Sequence, residues 1–149
     1  MGTRSAIGYK TAQGKIRAVY CHWDGYVENN GRILQDYYQT ERKIAQLVEL
    51  GDLSILDQQI GSKIDFDDRE AQRNANQCVA YGRDRGESNV DAQEFDTVQE
   101  FVDYYVGACC EYFYLHTAAG WIVHDRYHGG KDANGFPIFD DLETKLATA

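Results

Sequence analysis

A β-hairpin can be read near each end of the chain, and this pair restricts the fold more than any other feature. Residues 4–10 and 15–22 are short β-prone runs joined by Thr11-Ala12-Gln13-Gly14, where Gly14 suits the positive-φ position of a hairpin loop. Residues 111–117 and 121–127 flank Ala118-Ala119-Gly120 in the same way, and their aromatic content is that of half-buried strands. Helical stripes lie between the hairpins. Ile33, Leu34, Tyr37 and Tyr38 mark a helix over 28–38. Thr40 is the expected N-cap of a second helix that buries Ile44, Leu47 and Val48, with Gly51 as its C′ residue. Thr97 with Glu100 makes a capping box ahead of Val98, Phe101, Val102 and Tyr105. Asp140 and Glu143 open a short last helix, and residues 78–84 read as one more strand. The polar segments 62–76 and 85–95 are expected to be loops, as is the glycine-rich segment 128–136.

This order predicts one α+β domain over residues 1–149. Its sheet is expected to be mainly antiparallel, with about five strands (two hairpins plus one strand) and three or four helices packed on one face. A chain of 149 residues buries roughly two-thirds of its unfolded surface, enough for a core without staples. No strand–glycine-rich turn–helix unit is present, so Rossmann and P-loop folds are excluded. Fifteen Lys plus Arg against 24 Asp plus Glu leave a net charge of −9, which opposes direct nucleic-acid binding. No apolar stretch reaches membrane-span length and the N-terminus lacks a signal-peptide core, so a cytosolic location is expected. The four cysteines, Cys21, Cys78, Cys109 and Cys110, form no C-x-x-C pair. Reduced, mostly buried thiols are therefore expected, with no metal and no cofactor.

The most distinctive stretch is Tyr20-Cys21-His22-Trp23-Asp24-Gly25-Tyr26. Aromatic faces beside an imidazole and a carboxylate suit a planar ligand with polar edges. Arg83, near a predicted strand end, could add a bidentate grip on an anion. Tyr20, His22, Trp23, Asp24, Tyr26 and Arg83 are thus the candidate ligand-binding residues, against the reading of the block as a structural corner. Cys21 and His22 are strand neighbours that face opposite ways, so no nucleophile–base pair follows from them, and no catalytic residue is assigned. His124, Asp125 and His128 have zinc-like spacing only on a helix, and read here as surface groups. The acidic excess is concentrated in the middle third, where Asp65, Asp67, Asp68 and Glu70 are candidate partner-binding residues. Eleven tyrosines suit a recognition surface.

Four blocks in this order, Arg4-Ser5-Ala6-Ile7, the Tyr20–Tyr26 stretch, Leu50-Gly51-Asp52-Leu53-Ser54 and Tyr81 with Arg83-Asp84-Arg85-Gly86-Glu87, resemble a family of small bacteriophage-encoded accessory proteins. The likeness extends to about Tyr127, and Cys-His-Trp-Asp-Gly-Tyr is its most specific part. Val27 stands where members tend to carry proline, and Gly82 where an imidazole is expected. The resemblance implies a protein made in the cytoplasm of an infected bacterium and assigns it no reaction. The leading expectation is a stoichiometric binding or inhibitory factor in host takeover or counter-defence, docked on a host or defence-system protein. The alternative is a protein that binds a nucleotide or signalling nucleotide and sequesters or slowly cleaves it. An acidic DNA mimic is a minor third, and a homo-oligomer is left open.

Overall fold

The computed structural model describes residues 2–148. The first hairpin forms as its sequence dictates, with β1 (Ser5–Lys10) antiparallel to β2 (Ile16–Cys21). A π-helical turn, Val27–Gly31, leads into α1 (Arg32–Tyr37). Thr40 caps α2 (Glu41–Glu49) by accepting a hydrogen bond from the Lys43 N–H. The chain continues through β3 (Leu53–Ile55), α3 (Arg69–Ala75), β4 (Val79–Ala80), α4 (Tyr81–Arg85) and β5 (Gln93–Phe95). Thr97 caps α5 (Val98–Gly107) through the Glu100 N–H. The second hairpin follows as β6 (Tyr112–Thr117) and β7 (Gly120–Asp125), and then β8 (Asp140–Asp141) leads into α6 (Leu142–Ala147), which is capped by Asp141.

The fold is α+β, but its sheet corrects the expected architecture. Among the described residues there is one mixed sheet of eight strands with six α-helices, in place of about five mainly antiparallel strands with three or four helices. The strand order is β4-β3-β2-β1-β6-β7-β8, with β5 also on β2. The two hairpins do not lie apart: β1 pairs in parallel with β6, Ile7 opposite Tyr114, and this joins them into a continuous centre. Residues 78–84 do not extend as one strand, because β4 stops at Ala80 and the chain turns at once into α4. Two segments expected as loops contain elements, α3 within 62–76 and β5 within 85–95. The 128–136 loop is crossed by one isolated bridge, between Lys131 and Pro137.

Both sheet faces are covered, where one was expected. Alternation along β1, β2, β6 and β7 divides the apolar residues cleanly. Ile7, Val19, Cys21, Tyr114, Trp121 and Val123 face α1, α2 and α6. Ala6, Ile16, Ala18, Phe113 and Leu115 face α5, meeting Phe101, Val102 and Tyr105. Trp121 is 2% exposed, and its indole N–H donates to the Tyr38 carbonyl at 2.8 Å, which pins the end of α1 to β7. Burial of each such large apolar side chain stabilises the fold by about 1.5–3 kcal/mol. Among the described residues no helix is long and apolar enough to cross a membrane.

One irregularity positions the site. The outer edge of β2 is shared by two strands: β5 takes Ile16 to Ala18, and β3 takes Cys21. Between them Val19 and Tyr20 have no strand partner on that side, and the edge forks.

Candidate functional site

The Tyr20–Tyr26 block is a corner held from within. Gly25 donates its N–H to the Thr3 carbonyl at 2.7 Å and accepts the Tyr114 hydroxyl at 2.6 Å. A Cβ on Gly25 would lie 2.7 Å from the Ser5 Cβ, so only glycine fits against β1. Asp24 adopts the left-handed region, φ 56°, which Asp tolerates better than most residues. Asn30, buried beneath the turn, places its side-chain N–H groups 3.2 Å from Ser5 Oγ, 3.5 Å from Cys21 Sγ and 3.4 Å from the Trp23 carbonyl. Burial pushes the Cys21 thiol up to about 12, which leaves it no thiolate character near neutrality.

Of the residues singled out from sequence, Tyr20, His22 and Trp23 do come together. The Tyr20 hydroxyl and His22 Nδ1 are 2.8 Å apart, and the His22 and Trp23 rings meet edge-on at 4.7 Å. Burial lowers the His22 pKa, helped by the positive charge of Arg4. Trp23, Asp24 and Tyr26 are exposed around this pair. Arg83 belongs elsewhere. Its guanidinium donates to the Ile60 carbonyl at 2.8 Å, to the Cys78 carbonyl at 2.9 Å and to both oxygens of Asp84. Asp84, whose side chain is 0% exposed, also accepts the Ile64 and Ala80 N–H groups. The pair clasps residues 60–64 onto β4, and none of its hydrogen bonds reaches the corner.

The acidic set is also partly structural. Asp68 caps α3 through the Ala71 N–H, and the Asp65 carboxylate accepts the Asp67 N–H. Asp65, Asp67, Asp68 and Glu70 are all exposed, gathered around a helix N-terminus that favours negative charge. His124 departs from its expected exposure: it is 4% exposed, with Nδ1 2.8 Å from the Ile138 carbonyl, while His128 stays at the surface beside Asp125. Among the described residues no group of three or more His, Cys, Asp or Glu side chains could hold a metal ion.

The fork in the β2 edge opens into a cleft of about 260 Å³, lined by Tyr20, Asp52, Gln93, Tyr104, Tyr105 and Ala108. Gly51, φ 78°, turns the chain out of α2 and sets Asp52 at the fork. There Asp52 Oδ1 accepts the Tyr20 N–H at 3.0 Å, standing in for the missing strand. Burial raises the Asp52 pKa to about 6, and the charges of Asp91 and Glu87 add to the rise. Tyr105 lines the cleft, and its hydroxyl is buried without a hydrogen-bond partner among the described residues. Burial raises its pKa, and so does the nearby Asp52 carboxylate. Buried polar atoms are almost always paired, so an orphan hydroxyl in a cleft marks a place where an incoming group can bond.

Of this cleft, sequence reasoning singled out Tyr20 alone. Asp52 lies in one of the blocks carrying the resemblance, and Tyr105 on the apolar stripe of α5. The available signals were a carboxylate directly before an apolar strand and a hydroxyl on an apolar helix face. The four blocks also converge here: Ser5 pairs with Cys21, Cys21 with Leu53 and Leu53 with Ala80, and the Tyr81 N–H donates to the Asp52 carbonyl. A roomier groove of about 640 Å³ lies by the hairpin turns and α2, but its Arg17 is already paired with Glu49 at 2.8 Å. No family model matches the chain, and no match is found among curated proteins or among solved structures.

Proposed function

We propose that this is a stoichiometric binding protein, a phage accessory factor that acts by docking on a positively charged surface of a host or defence-system protein. The observation that carries the reading is the acidic sign of the middle third of the chain. The cleft at the β2 fork holds an accessible carboxylate in the field of Asp91 and Glu87. The exposed Asp65, Asp67, Asp68 and Glu70 belong to the same middle third of the chain. Trp23, Tyr26 and Tyr104, between 37% and 51% exposed, supply the aromatic contact area that binding surfaces use. The Cys21 thiol is buried beside Asn30 and His22 Nδ1 is taken by the Tyr20 hydroxyl, which supports binding over turnover.

Capture of the tagged protein from infected and uninfected bacteria, followed by native mass spectrometry, tests this. A basic protein retained in fixed ratio is expected, with retention falling in salt and in the Asp65→Lys/Asp67→Lys double variant. Retention unchanged by salt and by both reversals would overturn the acidic-docking reading. The second reading, a small-molecule binder, is favoured by the cleft itself and would register as an added mass of a few hundred daltons lost on denaturation. The acidic surroundings of the cleft disfavour a phosphorylated ligand within it.

A further inference from the structure

We infer that the Tyr20–Asp52–Tyr105 cleft is a receptor for an arginine side chain of the protein partner. The inference rests on the docking reading and names the chemical group that the partner inserts.

Two polar groups in the cleft have acceptor oxygens free for a ligand, and a third, the buried Tyr105 hydroxyl, lacks a partner. Asp52 uses Oδ1 for the Tyr20 N–H and makes no hydrogen bond through Oδ2 among the described residues. Gln93 commits its amide N–H to the Asp91 carbonyl at 3.3 Å, which leaves Oε1 free. The Tyr105 oxygen has no partner among the described residues. A guanidinium carries donors only, in a planar fork, so it can satisfy two or three of these groups at once. A ligand rich in acceptors would meet the Asp52 carboxylate lone pair against lone pair.

The walls point to the same group. Tyr20 and Tyr104 present ring surface, and a cation over an aromatic face is favoured, a guanidinium more often than an ammonium. No lysine or arginine lines the cleft; the cation that acts on Tyr20 is Arg4, through its charge and a side-chain hydrogen bond, and its charge also reaches His22 and Cys110. Size agrees as well. At about 260 Å³ the cleft falls below the roughly 300–1,000 Å³ of pockets for drug-sized ligands. It suits one planar head on a flexible stem.

The test is an NMR titration of the whole protein with three capped tripeptides, Gly-Arg-Gly, Gly-Lys-Gly and Gly-citrulline-Gly, with free agmatine in parallel. The arginine peptide is expected to shift the amide resonances of Asp52, Gln93, Tyr104 and Ala108. Citrulline keeps the shape and loses the charge, and it should bind at least about tenfold more weakly. Asp52→Asn should weaken arginine binding by a similar factor, and Tyr105→Phe by about threefold. Equal binding of arginine and citrulline, equal binding of arginine and lysine, or an Asp52→Asn protein with unchanged affinity would each overturn the assignment. Agmatine binding without peptide binding would overturn the protein source and leave a free guanidinium compound as the ligand. A partner captured equally well by wild type and Asp52→Asn, with no arginine-peptide shifts, sinks the cleft assignment and leaves the docking reading standing. Arginine-peptide binding at these residues with no salt-sensitive partner does the reverse.

Discussion

Replacement of Asp52 by asparagine should stabilise this protein at neutral pH and do nothing for it in acid. The carboxyl is partly buried at the fork of β2, and its pKa rises from an ordinary aspartate value of 3.8 to about 6. An acid whose folded pKa is raised binds its proton more tightly in the folded state. The associated stability is therefore present in full below about pH 4 and is lost as the pH climbs to about 6. Two pKa units correspond to about 3 kcal/mol. Because the carboxyl keeps some contact with water, screening reduces this to about 1–2 kcal/mol. Asparagine retains the Oδ1 acceptor for the Tyr20 N–H and removes the charge. Urea denaturation at pH 4, 6 and 8 should show the variant equal to wild type at pH 4 and about 1–2 kcal/mol more stable at pH 8, with an unchanged m-value. In thermal melts each kcal/mol moves Tm by about 2–4 °C for a domain of this size. A variant that loses stability at pH 8, or gains the same amount at pH 4, would refute the argument that burial of this charge is unfavourable.

Two further substitutions separate the corner from the clasp. Asn30→Ala should cost about 2–3 kcal/mol in urea melts, because Ser5 Oγ and Cys21 Sγ are left without the amide beneath the turn; a loss under about 0.5 kcal/mol would show that water replaces that amide freely. Arg83→Lys cannot reproduce four hydrogen bonds from a planar fork, so amide exchange over residues 60–64 should quicken at least about tenfold. Arginine-peptide affinity should not change in that variant. Its loss would place Arg83 in the binding site after all.

What the sequence made legible was local. Thr40 and Thr97 sit at helix starts because capping depends on the next three residues alone; the last helix is capped one residue later than expected, by Asp141 in place of Asp140. The two hairpins follow from alternation and a turn glycine. The parallel pairing of β1 with β6 left no local mark, since nothing in Ile7 or Tyr114 names its partner across the intervening chain. Arg83 beside Asp84 carries no local sign of its other partners, the carbonyls of Ile60 and Cys78, which only the fold brings within reach. Asp52 carries no local mark of its role in the sequence. Its meaning came from the fork in β2, which arises only when β3 and β5 share one edge.

The junction at the sheet centre also governs how the chain reaches its fold. Residues 5–9 of β1 must wait for residues 112–116 of β6, roughly a hundred residues later, and at about 5–20 residues per second a ribosome needs on the order of 5–20 s to supply them. Throughout that interval the β1–β2 hairpin can form while the other edge of β1 stands open, apolar on both faces. Contacts of such sequence separation fold slowly, and an open edge of this kind pairs readily with other chains. Faster elongation or a chaperone at the nascent hairpin should each raise the soluble yield, with the gain set by how long that edge stays unoccupied.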